Sequence, residues 1–568
     1  MRIAAAFLAF VMLAACGPPR TGVVPPLSPA DRPQYGGELN VGTAFVTLSA
    51  LSWDPADWTW KSNHDTGNVR EQLFAADLSK STSRGGPYPY TLDAYIPEEA
   101  LRGELAESWE WEGPLTMVVH LRRGVMWPDK PGVMKAREFD AHDVVFSYNY
   151  VDRSPKKIAE YFSHIERVEA RDRHTVVFHM KNYTVEWAYR FGFGYYSGIV
   201  PREAANIDQR DWRNVTGTGP FRLDRYLQGS VQTFAKNPQY WGVETIGGAP
   251  RRLPFVDRVT YRIIKDEATY VTAIRTGKLD VLEAVRWAMA KHLQETTPEL
   301  RWHRWLQPEG TIVSLRVDQK PFDDVRVRRA LNMAIDKKRL VSELNEGQAE
   351  LMAYPQHPEF GAYYQPLEEM PASVKELFVY DPAKARKLLA EAGYPNGFST
   401  KMQVCTCTPT HLDLAAVITD YWAQVGVKVT IEPLEYGAFL SRMTTRTHGP
   451  AYLFTTGHVS PTSTLRKSFL TGQLWNPSMY SDPEVDRQIR GMVMIRDEAE
   501  RVRVVRELTV KIMDDAPYIW LPTPYLYTAW WPWVRNYGGE LRAGAVRPGP
   551  IYARIWIDHD LKERMGFE

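Results

Sequence analysis

Two carboxylates and an imidazole lie close together in this sequence, and these are the side chains that a metal site would use. Asp140, His142 and Asp143 fall within four consecutive positions. Side chains at such short spacing in one turn do not converge on a single point, as metal ligands must. The two acids instead fit a helix start, where Asp140 would cap the N-terminus and Asp143 would favour the helix dipole. The pattern therefore predicts a capped helix, with no metal site and no catalytic residue.

Two cysteines, Cys405 and Cys407, are separated by one residue. If this stretch is a strand, both side chains lie on one face. In an oxidising compartment they could form a short-loop disulfide, and two unpaired buried thiols are the alternative. They are too few for a metal site without a nearby pair of histidines. The spacing leaves the state of the two thiols open.

The glycine-rich run at 216–221, Thr-Gly-Thr-Gly-Pro-Phe, has some of the features of a phosphate-binding loop. However, no Lys followed by Ser or Thr comes after it, and Pro220 removes a backbone donor. The sequence also contains no GxSxG elbow and no HExxH pair. These patterns give no support to the remote alternative of a secreted hydrolase, and no cofactor is expected.

Length and composition indicate a large soluble protein of ordinary charge. A chain of 568 residues is too long for one hydrophobic core and should divide into two or three domains. The formal net charge of +1 gives no electrostatic reason to expect nucleic acid as a partner. The 19 Trp, 29 Tyr and 21 Phe are enough both for cores and for an aromatic-lined cleft.

The N-terminus has the features of a targeting segment. Arg2 is followed by an apolar run from Ile3 to Leu13, which is too short to span a bilayer. The run ends in Leu-Ala-Ala-Cys-Gly, which resembles a lipobox with lipidation at Cys16. Ordinary secretion with cleavage after a small residue is the alternative. We expect a signal peptide at 1–15, a Pro-rich lipidated tether at 16–33 and membrane attachment through the lipid alone.

Periodicity predicts helices and strands in alternation. Residues 321–341 have apolar positions at helical spacing, with Asp323 or Asp324 as N-cap and a basic face that could be a solvated surface or a nucleic-acid contact. The stretch 381–398 contains a second predicted helix, which Asp381 begins and Gly393 ends. Residues 167–182 read as a strand–turn–strand hairpin. The aromatic stretch 187–196 favours core packing over a cleft wall.

Several of these stretches resemble one known family. PFDDVRVRRALNMAID (321–336), LRGELAESWEWEG (101–113), FDAHDVVFSYNYV (139–151), GTGPF (217–221) and NPQYWG (237–242) are similar to ordered landmarks of the peptide/nickel-type extracellular solute-binding proteins of ABC importers, family 5. VREQLFAADL (69–78) looks like the first helix of that family. The resemblance covers roughly residues 35 to 560.

The resemblance implies an α/β, two-lobed periplasmic-binding-protein fold of type II, in the large class with an extra subdomain. Lobe I is expected at 34–305, with the extra subdomain about 65–200, and lobe II at 306–525. Residues 526–568 return to lobe I, and the two crossings are placed near 305–311 and 525–528. The implied function is capture of a peptide or peptide-like solute in the interlobe cleft and its delivery to ABC permease subunits. A monomer located in the periplasm or cell envelope is expected.

The resemblance also identifies a departure at the ligand site. Peptide-binding members carry an aspartate that pairs with the ligand's ammonium, and Gly457 stands at the matching position. No carboxylate occurs between Glu435 and Asp482, so the anchor is missing unless the other lobe supplies it. An oligosaccharide or other neutral polar solute is therefore an alternative cargo. The candidate ligand-binding residues are Trp53, Asp54, Trp58, Trp60, Phe454, Thr455, Thr456, Gly457, His458, Ser460 and Trp475.

Overall fold

The computed structural model describes residues 32–43, 53–58, 60–158, 161–264, 266–406, 409–457 and 459–567. The predicted signal peptide, the lipidation residue Cys16 and most of the predicted tether lie outside these ranges. Cys407 and His458 also lie outside them.

A mixed sheet, with eight strands in the described residues, forms the centre of the first lobe. The strand Glu38–Thr43 lies near its middle and runs parallel to both of its neighbours. Parallel central strands bring their carboxyl ends to one edge, where open α/β sheets bind ligands. The strands are, in spatial order, Phe221–Leu227, Val231–Lys236, Arg258–Ile263, Glu38–Thr43, Val281–Arg286, Thr523–Trp530 and Arg301–Leu306, with Ala349–Glu350 also paired to Thr523–Trp530.

A four-stranded antiparallel sheet and the helix Ala141–Asp152 form an additional layer of this lobe. The expected cap is confirmed, because Asp140 accepts a hydrogen bond from the His142 N–H at 3.0 Å. Asp143 returns the bond by accepting from the Asp140 N–H and forms an ion pair with Arg137 at 2.6 Å. Both carboxylates therefore have structural partners within the protein. The strands are Ala106–Trp111, Thr116–Leu121, Thr175–Met180 and Ile165–Asp172, and the last two form the predicted hairpin.

A five-stranded sheet forms the centre of the second lobe, counted over the same ranges. Apolar clusters cover both of its faces, as the alternation along one strand shows: Ile312 packs on one side and Val313 on the other. A sheet buried on both faces needs helices on each side, which is the α/β layering that the sequence predicts. The strands are, in spatial order, Val427–Leu434, Phe398–Cys405, Ala451–Gly457, Glu309–Leu315 and Tyr518–Trp520.

The longer helices divide between the lobes. Lobe I has Trp60–Thr66, Ala141–Asp152, Glu267–Arg275, Trp287–Thr296 and His559–Arg564. Lobe II has Val325–Met333, Pro382–Glu391, Pro409–Ala423, Tyr436–Thr444, Pro461–Phe469, Pro483–Met492 and Glu498–Asp515.

The basic residues predicted on the helix at 321–341 are partly structural. The helix runs from Val325 to Met333 and is capped by Asp324, which confirms one of the two predicted caps. Arg328 donates to the carbonyl of Asp515 at 2.6 Å, and Lys337 is fully buried and donates to Asn332 Oδ1 at 3.0 Å. These two cations satisfy acceptors within the protein, which favours a structural role for part of this face over a nucleic-acid contact.

The helix expected at 69–78 is absent from the described structure. This stretch is irregular before the short strand Phe74–Ala76 and the 3-10 turn Leu78–Lys80. Glu71 and Gln72 are fully buried, and Glu71 accepts hydrogen bonds from Trp241 Nε1 while Gln72 donates to the Gly194 carbonyl. Trp241 and the Gly194 carbonyl are too far apart to be reached from one face of a helix. These tertiary contacts therefore hold the backbone in an extended conformation.

The aromatic stretch at 187–196 packs mainly into the core of lobe I, as predicted. A π-helix spans Tyr189–Phe193, and all of its residues are buried. Phe191 stacks on Phe178 with ring centroids 4.1 Å apart. The pairing anchors the four-stranded sheet to the rest of the lobe.

Cys405 is disulfide-bonded and therefore does not titrate as a thiol. It ends the strand Phe398–Cys405. Its expected partner, Cys407, lies outside the described ranges, and the pairing between the two stays a prediction.

The chain changes sheet at two short connections. Strand Arg301–Leu306 belongs to the eight-stranded sheet and Glu309–Leu315 to the five-stranded sheet, so the first change falls at 307–308. The second falls at 521–522, between Tyr518–Trp520 and Thr523–Trp530. Residues 525–528, where the sequence placed the second crossing, pair along Arg301–Leu306 and so already belong to lobe I.

Candidate functional site

The strand Ala451–Gly457 has two different faces. Phe454 and Thr456 are buried, and Phe454 packs into the core on one side of the five-stranded sheet. Thr455 and Gly457 point to the opposite face, because side chains alternate along a strand, and both remain partly accessible. Thr455 and Gly457 therefore stay accessible on one face of the strand, whereas Phe454 and Thr456 lie in the packed interior.

Glu309 lies directly opposite Gly457 on the neighbouring antiparallel strand. Opposed residues of an antiparallel pair project to the same face. A Cβ built on Gly457 would lie 3.9 Å from the Cγ of Glu309. Strand register therefore brings a carboxylate beside the glycine that replaces the expected aspartate.

Asp93 of the first lobe faces the same glycine. A Cβ built on Gly457 would lie 2.8 Å from Asp93 Oδ2. The Asp93 carbonyl accepts a hydrogen bond from Val546 N at 2.6 Å, which ties its backbone to lobe I. The adjacent Leu92 packs into the apolar core of lobe II. The other lobe thus supplies a carboxylate at the position that appeared to lack one.

A lysine completes this group. Lys467, on the helix Pro461–Phe469, donates a hydrogen bond from Nζ to the carbonyl of Gly457. The helix is held in place by Ser460, whose side chain caps it by accepting from the Ser463 N–H at 3.1 Å. Ser460 therefore positions Lys467 by capping the helix that carries it.

Asp93, Glu309, Lys467 and Tyr195 lie close to one another where the two lobes meet. Each lies deep within the protein, where burial dominates its electrostatic environment. Each nevertheless keeps part of its surface accessible. Side chains that are surrounded by protein and still accessible line a cavity, the expected form of a solute site in a closed cleft.

The basic groups of this site do not fully compensate its acidic groups. Burial raises the pKa of Asp93, against the opposing effects of Arg542 and Lys467. Burial, followed by the charge of Asp93, raises the pKa of Glu309. Burial lowers the pKa of Lys467 to about 8, although the two acids oppose this shift. Arg542 also lies 3.8 Å from Glu283, so it is shared with a third carboxylate.

Most of the tryptophans suggested by the sequence pack elsewhere. Trp53 is fully buried and meets Tyr226 edge-on, with ring centroids 5.0 Å apart. Trp58 donates from Nε1 to the Val151 carbonyl at 3.0 Å and packs against other aromatic rings of lobe I. Their indole faces are therefore occupied by the protein. Trp475 is partly buried against the core of lobe II.

Two remaining candidates on the same N-terminal stretch differ in what is known of them. Asp54 caps the 3-10 turn Pro55–Asp57 and accepts from Tyr150 OH at 3.1 Å, so its carboxylate has a structural role. The side chain of Trp60 lies outside the described part of the structure, and its role stays a prediction.

A second buried contact joins the lobes away from the cavity. Glu186 of lobe I is paired with Arg190 at 2.6 Å within its own lobe. Across the interface it accepts from Thr462 Oγ1 at 2.9 Å and lies 3.3 Å from Arg466. The neighbouring arginines hold the pKa of Glu186 well below its usual range, against the effect of burial. The lobes are therefore closed on each other by polar as well as apolar contacts.

Sequence reasoning missed Asp93, Glu309, Lys467 and Arg542. Asp93 and Arg542 stand in irregular segments with no motif. The one available signal was strand register. Glu309 begins its strand and Gly457 ends the neighbouring antiparallel strand, so pairing the two strands places these residues opposite each other.

The fold and these motifs agree with one protein family. The family model of bacterial extracellular solute-binding proteins, family 5 Middle, matches residues 100–476. This chain belongs to the bacterial extracellular solute-binding proteins of family 5. The resemblance found in the sequence is thus confirmed, and with it the two-lobed α/β fold.

Individual relatives share this family over most of their length. The glutathione-binding protein GsiB of Pectobacterium atrosepticum is 28% identical over 478 residues, or 80% of this chain and 87% of GsiB. Heme-binding protein A of Haemophilus influenzae is 25% identical over 449 residues, or 74% and 78% of the two chains. The structure of DppA from Helicobacter pylori, in complex with the peptide STSA, superposes with a TM-score of 0.75 at 24% identity and covers 92% of this chain and 99% of DppA.

Family 5 proteins are solute-binding proteins that act outside the cytoplasm. Among the helices that the structure describes, none is long and apolar enough to cross a membrane.

Proposed function

We propose that this protein is the substrate-binding component of an ABC importer and that it captures a peptide or peptide-like solute through the ligand's ammonium group. The observation that carries the proposal is the position of Asp93, whose carboxylate from lobe I lies against Gly457 of lobe II. With Glu309 beside the same glycine, two carboxylates from different lobes face one enclosed space.

The cost of burying these acids favours a cationic ligand. A buried carboxylate is destabilised unless it is paired or neutralised by protonation. Lys467 and Arg542 stabilise the ionised acids only in part, because the pKa values of both Asp93 and Glu309 remain raised. An incoming ammonium group would add the missing charge and form charge-assisted hydrogen bonds.

The same geometry couples binding to closure. An ammonium held between Asp93 and Glu309 contacts both lobes at once, whereas in an open cleft it reaches one. A ligand shifts a conformational equilibrium only through such a difference in contacts. The connections at 307–308 and 521–522 are the proposed hinge.

The relatives agree with this cargo without fixing it. Glutathione, named for one relative, is a peptide that carries a free ammonium group. Another relative is named for heme, so membership of the family does not decide the cargo. The paired acids favour the ammonium-bearing class. The neutral saccharide alternative loses support because Trp53 and Trp58, its proposed stacking surfaces, pack in the core.

We further propose that the mature protein is a monomer attached to the membrane through a lipid on Cys16, and that it releases its ligand chemically unchanged. The lipobox-like segment and the Pro-rich tether support the anchor. Membership of a family of solute-binding proteins supports binding without catalysis.

The decisive experiment is a thermal-shift and calorimetry screen. Di- and tripeptides with free N-termini should stabilise the protein by mass action. The same peptides with acetylated N-termini, and neutral oligosaccharides, should not. Stabilisation by acetylated peptides equal to that by free peptides would overturn the ammonium anchor, and stabilisation by oligosaccharides alone would overturn the peptide class. Mass spectrometry of the recovered peptide should show no change.

A further inference from the structure

We propose that lobe I contains a second, internal site for a small oxyanion, formed by Arg70, Lys130 and Arg222 around the loop at 215–219. Its residues all belong to the first lobe, and none of them is among the residues of the solute cavity. The proposal does not depend on the cargo proposed above.

Arg70 is a buried cation without an ion pair in the described structure. Its side chain is 3% exposed, yet its guanidinium makes a single weak hydrogen bond, from NH2 to Gln209 Oε1 at 3.4 Å. Its Nε has no partner among the described residues. Burial lowers the pKa of Arg70 to about 10, despite the opposing charge of Asp54. A buried guanidinium normally pairs with an anion.

Lys130 brings a second cation to the same place. Its Nζ donates to the carbonyl of Val215, at the start of the loop. Burial lowers the pKa of Lys130 to about 8, together with the charges of Arg70 and Arg222 and against that of Asp211. Lys130 thus lies near both arginines, and none of its described contacts is with a carboxylate.

Arg222 is the third cation, at the other end of the loop. It donates from NH2 to Asn237 Oδ1 at 3.0 Å, and Asn237 in turn donates to the Gly219 carbonyl at 2.8 Å. The Nε of Arg222 is buried without a partner among the described residues. Burial lowers the pKa of Arg222.

The loop packs tightly against the backbone that carries Arg70. A Cβ on Gly217 would lie 2.0 Å from the Val69 carbonyl oxygen and 3.0 Å from Arg70 Cα. Gly219 N donates to the same carbonyl at 2.8 Å. Only glycine allows so close an approach. The loop whose sequence has some features of a phosphate-binding loop therefore lies against the backbone of Arg70.

The cluster has more donors than acceptors. Besides the two guanidinium Nε atoms, Thr216 Oγ1 and Gln209 Nε2 are buried and have no hydrogen-bond partner within the described ranges. Both residues are more than nine-tenths buried. Unsatisfied buried donors are rare and point to a missing acceptor.

The nearest carboxylates are already engaged. Asp54 accepts from the Ala56 N–H at 2.8 Å and from Tyr150 OH. Asp211 caps the turn Trp212–Asn214 and pairs with Arg213 at 3.2 Å. Neither forms a salt bridge with the three cations in the described structure.

A compact oxyanion has the chemistry that this cluster lacks. Phosphate or sulfate offers several acceptor oxygens in different directions, which suits two guanidinium groups, an ammonium, a hydroxyl and an amide. A carboxylate would satisfy fewer of these donors. Phosphate and sulfate are therefore the probes that the site should prefer.

Equilibrium dialysis with radiolabelled phosphate, at constant ionic strength, tests the proposal on the full folded chain. We expect saturable binding of about one phosphate per chain, competed by sulfate. Lys130→Met and Arg222→Gln, which change partly accessible residues, should each weaken binding at least tenfold. Arg210→Gln, an exposed arginine paired with Asp208, should leave it unchanged.

Two results would overturn the site: no saturable binding of phosphate or sulfate, or binding that neither Lys130→Met nor Arg222→Gln weakens. Asp93→Asn separates this site from the solute cavity, because it should weaken peptide binding and leave phosphate binding intact. Circular dichroism on each variant confirms that the fold is kept.

Discussion

Asp93 and Gly457 meet across the two lobes so closely that a Cβ at position 457 would lie 2.8 Å from Asp93 Oδ2. The glycine leaves room for a carboxylate that the opposite lobe delivers. Glu309, which pairs with Gly457 across the sheet, places a second carboxylate beside the same glycine.

Asp93→Asn should weaken binding of peptides with a free N-terminus by about 2 kcal/mol or more, or roughly 30-fold, because a charge-assisted contact is lost. Calorimetry measures this change. Asp129→Asn, an exposed aspartate, serves as the control and should bind normally. Undiminished affinity in Asp93→Asn would remove this residue from the site.

Exchanging the two positions should restore binding. Gly457→Asp alone adds a third carboxylate beside Asp93 and Glu309, so we expect it to hinder closure and reduce affinity at least tenfold. Asp93→Gly combined with Gly457→Asp should recover most of that loss, because the site again holds two carboxylates. If the double variant bound peptide no more tightly than Gly457→Asp, affinity would depend on which lobe carries the carboxylate and not only on its charge.

Glu309→Gln should stabilise the empty protein by about 1 kcal/mol at neutral pH while weakening ligand binding. A carboxyl whose pKa is raised by folding opposes folding once the pH exceeds its unfolded pKa of about 4.3. The advantage of the variant should therefore be small near pH 4 and should grow toward neutral pH. Denaturant unfolding at several pH values measures this difference. A variant less stable than the wild type at neutral pH would contradict the assignment.

Peptide affinity should rise with pH through the mildly acidic range. Burial raises the pKa values of Asp93 and Glu309 in the empty site, and an ammonium ligand should lower them. Binding must then release protons, which favours the complex at higher pH until the peptide's own amine deprotonates near pH 8. Calorimetry in buffers of different ionisation enthalpy detects the release. Net proton uptake would be inconsistent with two raised carboxyl pKa values.

Arg466→Met should loosen the closed form without unfolding lobe I. Glu186 keeps its partner Arg190 at 2.6 Å, so the loss is confined to the interlobe contact at 3.3 Å. We expect a larger radius of gyration for the ligand-bound protein in small-angle scattering. The affinity for every ligand should fall by about 1 kcal/mol, irrespective of its charge. Arg490→Met, an exposed arginine of the same lobe, is the matched control.

The sequence by itself determined the family and the local elements. Capped helices such as Val325–Met333 and Pro382–Glu391 were predictable because Asp324, Asp381 and the apolar spacing act within one or two helical turns. Local signals failed where distant contacts decide the backbone. The helix expected at 69–78 gave way to buried hydrogen bonds that Glu71 accepts from Trp241 and that Gln72 donates to the Gly194 carbonyl.

The candidate site was decided by tertiary structure. Gly457 could be located by motif, and its lack of a carboxylate was visible in the sequence. That Asp93 replaces it follows from the packing of an irregular segment of lobe I against lobe II, and that Glu309 joins it follows from strand register. Trp53 and Trp58, which the sequence suggested for the cleft, are core residues because rings bury more apolar area inside a lobe than at its surface. Short-range propensities fix helices and strands, but which charges meet in a cleft depends on contacts between lobes that no local pattern encodes.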